Sequence, residues 1–441
     1  MKLYAPWEKR FNKIITPFEE FLHAQTTTGL VLIIATLIAL FLANSPWKEA
    51  YFHFFHTPIS ITIGSFTLSH SLTHWINDAL MAIFFFLVGL EIKREFLVGE
   101  LSNLKVAILP IIAAIGGMIA PALIYYALNY QGEGANGWGI PMATDIAFAI
   151  SALVILGKRV PKSLITFLVA LAIVDDLGAV IVIALFYTET INFLFLSLAF
   201  GTFLIMITLN RFGVTLLSIY FILSLFLWFF MLESGIHATI AGVLAALTIP
   251  SRPKRTKVSF LSSMQELLTQ YQKASIKTIE LNDTQKSLLN NMSETIKSVH
   301  TPAARLEHTL HLPVSLIIIP LFALANAGIE IDFSTMKELL STPVSIGIMS
   351  GLVVGKVLGI FGASFLLIKL KIASLPQNSS LSQLFGVSFL GGIGFTMSIF
   401  VADLAFKYNE VLINQAKAAI LIASILAALL GYIWLRFIAS K

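Results

Sequence analysis

The chain has 441 residues, of which 57% are hydrophobic and 12% charged, with a formal net charge of +5 and no cysteine. That balance is too apolar for a soluble globule and fits a polytopic membrane protein. The missing cysteines exclude disulfides, thiolate metal centres and cysteine nucleophiles, and the small positive excess is accounted for by membrane orientation, with no nucleic-acid partner.

Backbone polar groups within lipid must be satisfied internally, so long apolar runs read as helices, and about 20 residues suffice to cross the hydrocarbon layer. Residues 1–26 are polar and aromatic, unlike a short basic signal-peptide leader, and are expected to remain uncleaved as a cytoplasmic segment. Twelve spans are drawn at 27–44, 75–92, 106–128, 139–156, 163–187, 193–209, 214–231, 235–250, 313–329, 343–368, 383–404 and 414–435. They divide into spans 1–8 within 27–250, a cytoplasmic insertion at 251–303, spans 9–12 within 304–436, and a cytoplasmic tail at 437–441.

Basic residues fall on one side: Lys9, Arg10 and Lys13, then Lys93 and Arg94, then Lys158, Arg159 and Lys162, then the run from Arg252 to Lys257. Glu133, Glu189, Glu233, Glu330 and Asp332 fall on the other. By the positive-inside rule both termini are cytoplasmic. Between spans 1 and 2, residues 57–70 (TPISITIGSFTLSH) alternate around Gly64-Ser65, as in a hairpin with a two-residue turn or an irregular outer loop. The insertion is rich in Lys, Ser, Thr, Asn and Gln, with weak helical periodicity around SMQELLTQYQ.

Ionisable residues inside the spans are costly, roughly 2.5–3.5 kcal/mol each on insertion scales, and read as functional. They are Asp78 and Glu91 in span 2, Asp145 in span 4, Asp175 and Asp176 in span 5, Lys356 in span 10 and Asp403 in span 11. Asp175, Asp176 and Lys356 each lie halfway along their runs, so a midplane salt bridge is geometrically open to them. Adjacent helical residues point about 100° apart, which leaves one carboxylate to pair with Lys356 and the other to face an ion. Carboxylate oxygens are hard ligands suited to small alkali cations and lose that affinity when protonated, so such a site takes a proton or a cation in alternation.

Span 4 carries Pro141 before Thr144 and Asp145 in GWGIPMATDIAFAI, and span 11 bunches Gly391, Gly392 and Gly394 in GVSFLGGIGFTMSIFVA. Two interrupted helices in corresponding positions indicate a transporter of inverted-topology repeats, with its site where the breaks cross. Asp145 can offset the positive half-helix ends there and Lys356 the negative ones.

In combination ATDIAFA, LAIVDDLGA, SGIHATIAGV, RLEHTLH, LFALANAGI, GKVLGI and GGIGFTMSIF resemble the NhaA-type bacterial Na+/H+ antiporters over residues 25–250 and 303–436. Inverted-topology repeats are themselves a known property of that family. The resemblance implies an electrogenic Na+(Li+)/H+ exchanger of the bacterial inner membrane, working by alternating access, regulated by pH and needing no cofactor. It implies Na+ or Li+ at Asp175 and Asp176, pairing of Lys356 with one of these two aspartates, support from Asp145, Thr144 and Asp78, and homodimers joined through the hairpin at 57–70. Glu91, Arg94, Glu95, Glu307, His308 and His311 match the family's pH-sensing cluster, or form a solvated rim that only sets topology. His237 is a packed or capping histidine, or a further sensor.

Two features depart from the family pattern: the long insertion at about 254–300, and Asp403, where an uncharged residue is commoner. Gly351 to Lys356 lacks the spacing of a phosphate loop, and Glu307 to His311 lacks the HExxH order of a zinc protease. An intramembrane aspartyl protease using Asp145 and Asp176 would leave Lys356 without a role. The chain therefore reads as a secondary transporter and not an enzyme. The alternatives within membrane function are a proton-coupled carrier of another solute and a subunit driven by a partner.

Overall fold

A computed structural model describes residues 25–64, 66–188, 191–253, 257–274, 282–330 and 339–439. Lys9, Arg10, Lys13, Glu189, Lys254, Arg255 and Asp332, used above as topology markers, and Ser65 of the hairpin turn, lie outside the described residues.

Helices α1 (Gln25–Ala43) and α2 (Lys48–His56) bend 114° apart. Strands β1 (Pro58–Ile63) and β2 (Phe66–Ser71) follow as an antiparallel hairpin, in register from Pro58 opposite Ser71 to Ile63 opposite Phe66. Gly64 turns the chain at φ +63°, a conformation that favours glycine. The hydroxyls of Ser60 and Ser69 meet across the strands at 2.7 Å.

The next helices are α3 (Leu72–Leu97), α4 (Leu104–Asn129), α5 (Ile146–Leu156, behind a 3-10 stretch Glu133–Met142) and α6 (Lys162–Phe186). They are followed by α7 (Phe193–Arg211), α8 (Leu217–Glu233) and α9 (Thr239–Thr248). Within 251–303 lie α10 (Lys257–Lys273) and α11 (Asp283–Val299), packed on each other, with an Asn282–Gln285 capping box starting α11. The chain closes with α12 (Pro302–Asn326), α13 (Pro343–Lys369), α14 (Leu381–Leu390), α15 (Phe395–Ala405) and α16 (Glu410–Ile438).

Among the described residues eight helices are long and apolar enough to cross a membrane, or ten when the bent pairs α1/α2 and α14/α15 each count as one span. Helices α8 and α9 are apolar but shorter. The architecture is an all-α polytopic membrane protein, and the hairpin is the one sheet among the described residues.

Lipid offers helices no hydrophobic drive to associate, so small residues that let backbones approach become the means of packing. Gly351, Gly355 and Gly359, spaced by four along α13, supply such a stripe. A Cβ on Gly355 would lie 2.7 Å from Pro121 Cα, and one on Gly359 only 2.1 Å from the Gly116 carbonyl oxygen of α4. A π-helical turn at Gly351–Gly355 ends directly at Lys356. Gly117 borders the lysine stem, since a Cβ there would stand 3.8 Å from Lys356 Cδ. The contact of α4 with α13 thereby sets where Lys356 sits.

Gly359→Ala should therefore force two backbones apart and cost about 1–3 kcal/mol, read as a lower Tm of the purified protein. Gly362→Ala, on the same helix with nothing within 4 Å of its new Cβ, should leave the Tm near the native value. Equal Tm values for the two variants would show that the glycine stripe does not govern this contact.

Candidate functional site

The two interrupted segments meet. Span 4 loses its helix over residues 143–145, where Ala143 and Asp145 take extended backbone conformations beyond Pro141, and restarts with Asp145 as the N-cap of α5. Helices α14 and α15 are separated by residues 391–394 and bend by 47°. Gly391 and Gly394 have ordinary negative φ angles, so the glycines are needed here for closeness. A Cβ on Gly392 would lie 2.2 Å from the Leu352 carbonyl oxygen.

Backbone groups freed at each break find partners at the other, as a buried unpaired group would otherwise be costly. Asp145 N–H donates to the Ile393 carbonyl at 2.6 Å, Thr144 Oγ1 donates to the Gly391 carbonyl at 2.8 Å, and Ser398 Oγ donates to the Ile140 carbonyl at 2.8 Å. The Asp145 carboxylate stands between two helix N-termini. Its Oδ1 accepts from Phe148 N–H of α5 at 3.1 Å, and its Oδ2 accepts from Thr396 N–H of α15 at 3.1 Å and from the Thr396 hydroxyl. One negative charge thus answers two positive half-helix ends.

Beside the crossing, α6 and α13 bring the remaining charges together. Asp175 and Asp176 are each 1% exposed and Lys356 is 0% exposed. Lys356 Nζ donates to Asp175 Oδ2 and, at 2.9 Å, to Thr144 Oγ1, while Thr144 Oγ1 lies 2.7 Å from the same Asp175 oxygen. Thr144, and not Lys356, reaches the Gly391 carbonyl at the end of α14. Asp176 points elsewhere: both of its carboxylate oxygens are buried without a hydrogen-bond partner, as is Asp175 Oδ1.

Asp176 lines a cavity of about 140 Å³ together with Thr144, Asp145, Thr396, Glu91 and His311, walled by Phe84, Leu87 and Val88. Arg94 bridges Glu95, at 2.9 Å, and Glu307. His308 is exposed and outside the cavity lining. Asp78 is also apart from it. It sits in a π-helical turn, Ile76–Leu80, with its Oδ2 2.9 Å from His74 Nε2. Asp403 pairs with Lys417 at 2.9 Å on α16.

Thr396 and Ser398, within GGIGFTMSIF, join the candidate site although neither is an ionisable group that a membrane span would mark. The available signal was position: a threonine two residues after Gly394 sits where a half-helix N-terminus needs a partner for its N–H groups. An oxygen-lined pocket with one unpaired carboxylate and one ammonium-paired carboxylate can hold a small cation or a proton. No cluster of three or more His, Cys, Asp or Glu residues suited to a metal ion occurs among the described residues.

A family model described as Na+/H+ antiporter 1 matches residues 19–435. The chain is 62% identical over 442 residues, covering both chains fully, to the Na(+)/H(+) antiporter NhaA of Sulfurimonas denitrificans. It is 49% identical over 437 residues to Na(+)/H(+) antiporter NhaA 1 of Saccharophagus degradans, covering 99% of this chain and 94% of that one. Identity to the Na(+)/H(+) antiporter NhaA of Dichelobacter nodosus is 47% over 442 residues, 99% of this chain and 94% of the relative. With its apolar helices and its bacterial relatives the chain is a multi-pass bacterial membrane protein, a secondary transporter and not an enzyme, and it belongs to the Na+/H+ antiporter 1 family.

Proposed function

We propose that the chain is an electrogenic Na+(Li+)/H+ antiporter of the bacterial inner membrane that expels sodium by alternating access and is regulated by pH. The observation that carries this reading is the Asp176 carboxylate, buried, facing a cavity and without a partner on either oxygen. A buried charge left unpaired is expensive, so the group takes a proton or a cation.

A cation drawing on both Asp175 and Asp176 competes with the Lys356 ammonium for Asp175 Oδ2. Entry of Na+ therefore expels the proton of Asp176 and leaves Lys356 without its counter-ion. Thr144 holds the Lys356–Asp175 pair in register with the Gly391 carbonyl, and Asp145 with Thr396 fixes the crossing, so that the two broken helices carry the site as they move.

Ten spans plus α8 and α9 make twelve, and the broken elements in spans 4 and 11 fit two inverted repeats. The basic residues at Lys93, Arg94, Arg159 and Lys162 support a cytoplasmic location for both termini and the 251–303 insertion. The sensing cluster comprises Glu91 and His311, which share the Asp176 cavity, with Arg94, Glu95, Glu307 and His308 outside its lining. Asp78 supports from outside the cavity. The hairpin at 57–70, exposed with hydroxyl-bearing strands, joins two copies as a homodimer.

Proteoliposomes holding an acid interior should lose their gradient on addition of Na+ or Li+ and keep it with K+, followed with a pH-sensitive dye from pH 6 to 9. A gradient indifferent to every alkali cation would favour the proton-coupled carrier of another solute. Asp176→Asn should reduce Na+-driven exchange to background and melt at the native temperature or above, because it removes a buried unpaired charge. Lys356→Ala should cost roughly 3–5 kcal/mol of stability, since it strands Asp175; a thermal-shift assay separates the two. Glu307→Gln removes one of the Arg94 partners and should move the pH of half-maximal exchange, whereas an unmoved profile would take that cluster out of sensing.

A further inference from the structure

In the orientation above, α15 is the outer half of the second broken helix, and two polar contacts fasten it to α16. Phe395 N–H donates to Ser424 Oγ at 3.1 Å at the start of α15. Near its end Asp403 Oδ1 lies 2.9 Å from Lys417 Nζ. The helices run antiparallel, and the eight residues from 395 to 403 cover about 12 Å while the seven from 417 to 424 cover about 10 Å. The contacts therefore mark the two ends of a single shared face. The paired side chains are 14% and 12% exposed, and Asp403 Oδ2 is buried with no hydrogen-bond partner. Removing one member of so buried a pair leaves the other uncompensated. Thr396, next to Phe395, is the residue through which α15 holds Asp145.

We propose that Asp403 and Lys417 are positioning residues that lock α15 to α16 as one unit and so set Thr396 against Asp145 at the crossing beside Asp176. Ser424 fixes the near end of α15 and the ion pair its far end, so neutralising either charge leaves the half-helix held to α16 by the Phe395–Ser424 contact alone. With one contact left, α15 tilts and turns about that point, and the Thr396 N–H and hydroxyl beside it lose their alignment on Asp145. The consequence for cation affinity rests on the antiport reading; the consequence for the crossing itself does not.

Amide hydrogen–deuterium exchange of the purified full chain, read by mass spectrometry, is the direct test. In Asp403→Asn and Lys417→Met, peptides over 143–149 and 391–398 should exchange faster by about threefold or more, as local opening becomes easier. The swapped double variant D403K/K417D should recover native exchange, while Lys48→Gln, at the exposed ion pair with Glu330, should leave both peptides unchanged. In proteoliposomes the single variants should raise the KM for Na+ severalfold with a smaller change in kcat, and the swap should restore it. Native exchange rates at the crossing in both single variants would overturn the proposal, as would a swap that recovers nothing. Should the native protein show no Na+ response, the antiport reading falls and the exchange data still decide whether the pair positions the break.

Discussion

Lys356 carries its charge at zero exposure, and the answer to that charge organises the surrounding structure. Asp175 supplies the opposite charge and Thr144 an oxygen at 2.9 Å. Three elements must converge to bring the lysine, the aspartate and the threonine together: α13, α6 and the unwound stretch before α5. The glycine stripe on α13 gives the lysine its depth, and the 143–145 break frees Thr144 to reach a carbonyl of the other broken helix as well as the ion pair. Buried pairs of this kind contribute little net stability yet are damaging to break, which suits the exchange of partners proposed for Lys356.

The crossing solves a second problem with the same economy. Interrupting a helix within lipid exposes N–H and carbonyl groups that find no water. Here the two breaks satisfy each other, through Asp145 to Ile393, Thr144 to Gly391 and Ser398 to Ile140. A single carboxylate, Asp145, serves two helix N-termini at once. The satisfied Asp145 and the unsatisfied Asp176 are neighbours in one cavity, and that contrast separates a structural acid from one available to a ligand.

The remaining ionisable groups sort by what surrounds them. Glu91 and His311 line the cavity, whereas Arg94 holds Glu95 and Glu307 outside its lining. Asp78 turns to His74, and Asp403 to Lys417. A charge in an apolar span is thus a flag for a polar environment, and the kind of environment depends on the partner the neighbouring helix offers.

The sequence determined the class of the molecule, because apolar runs long enough to span lipid and the charges embedded in them are local properties of the chain. It also marked the breaks, since Pro141 and the glycines at 391, 392 and 394 restrict or relax the backbone where they stand. Only the tertiary structure decided that Asp175 and not Asp176 meets Lys356, that Thr396 holds Asp145, that Asp78 stands outside the cavity and that Asp403 finds Lys417. Those pairings depend on how each helix is rotated about its axis and how closely it approaches a partner that can be more than 200 residues away, as Asp145 and Thr396 are. Rotation and approach follow from the summed packing of whole helix faces, so no motif records them.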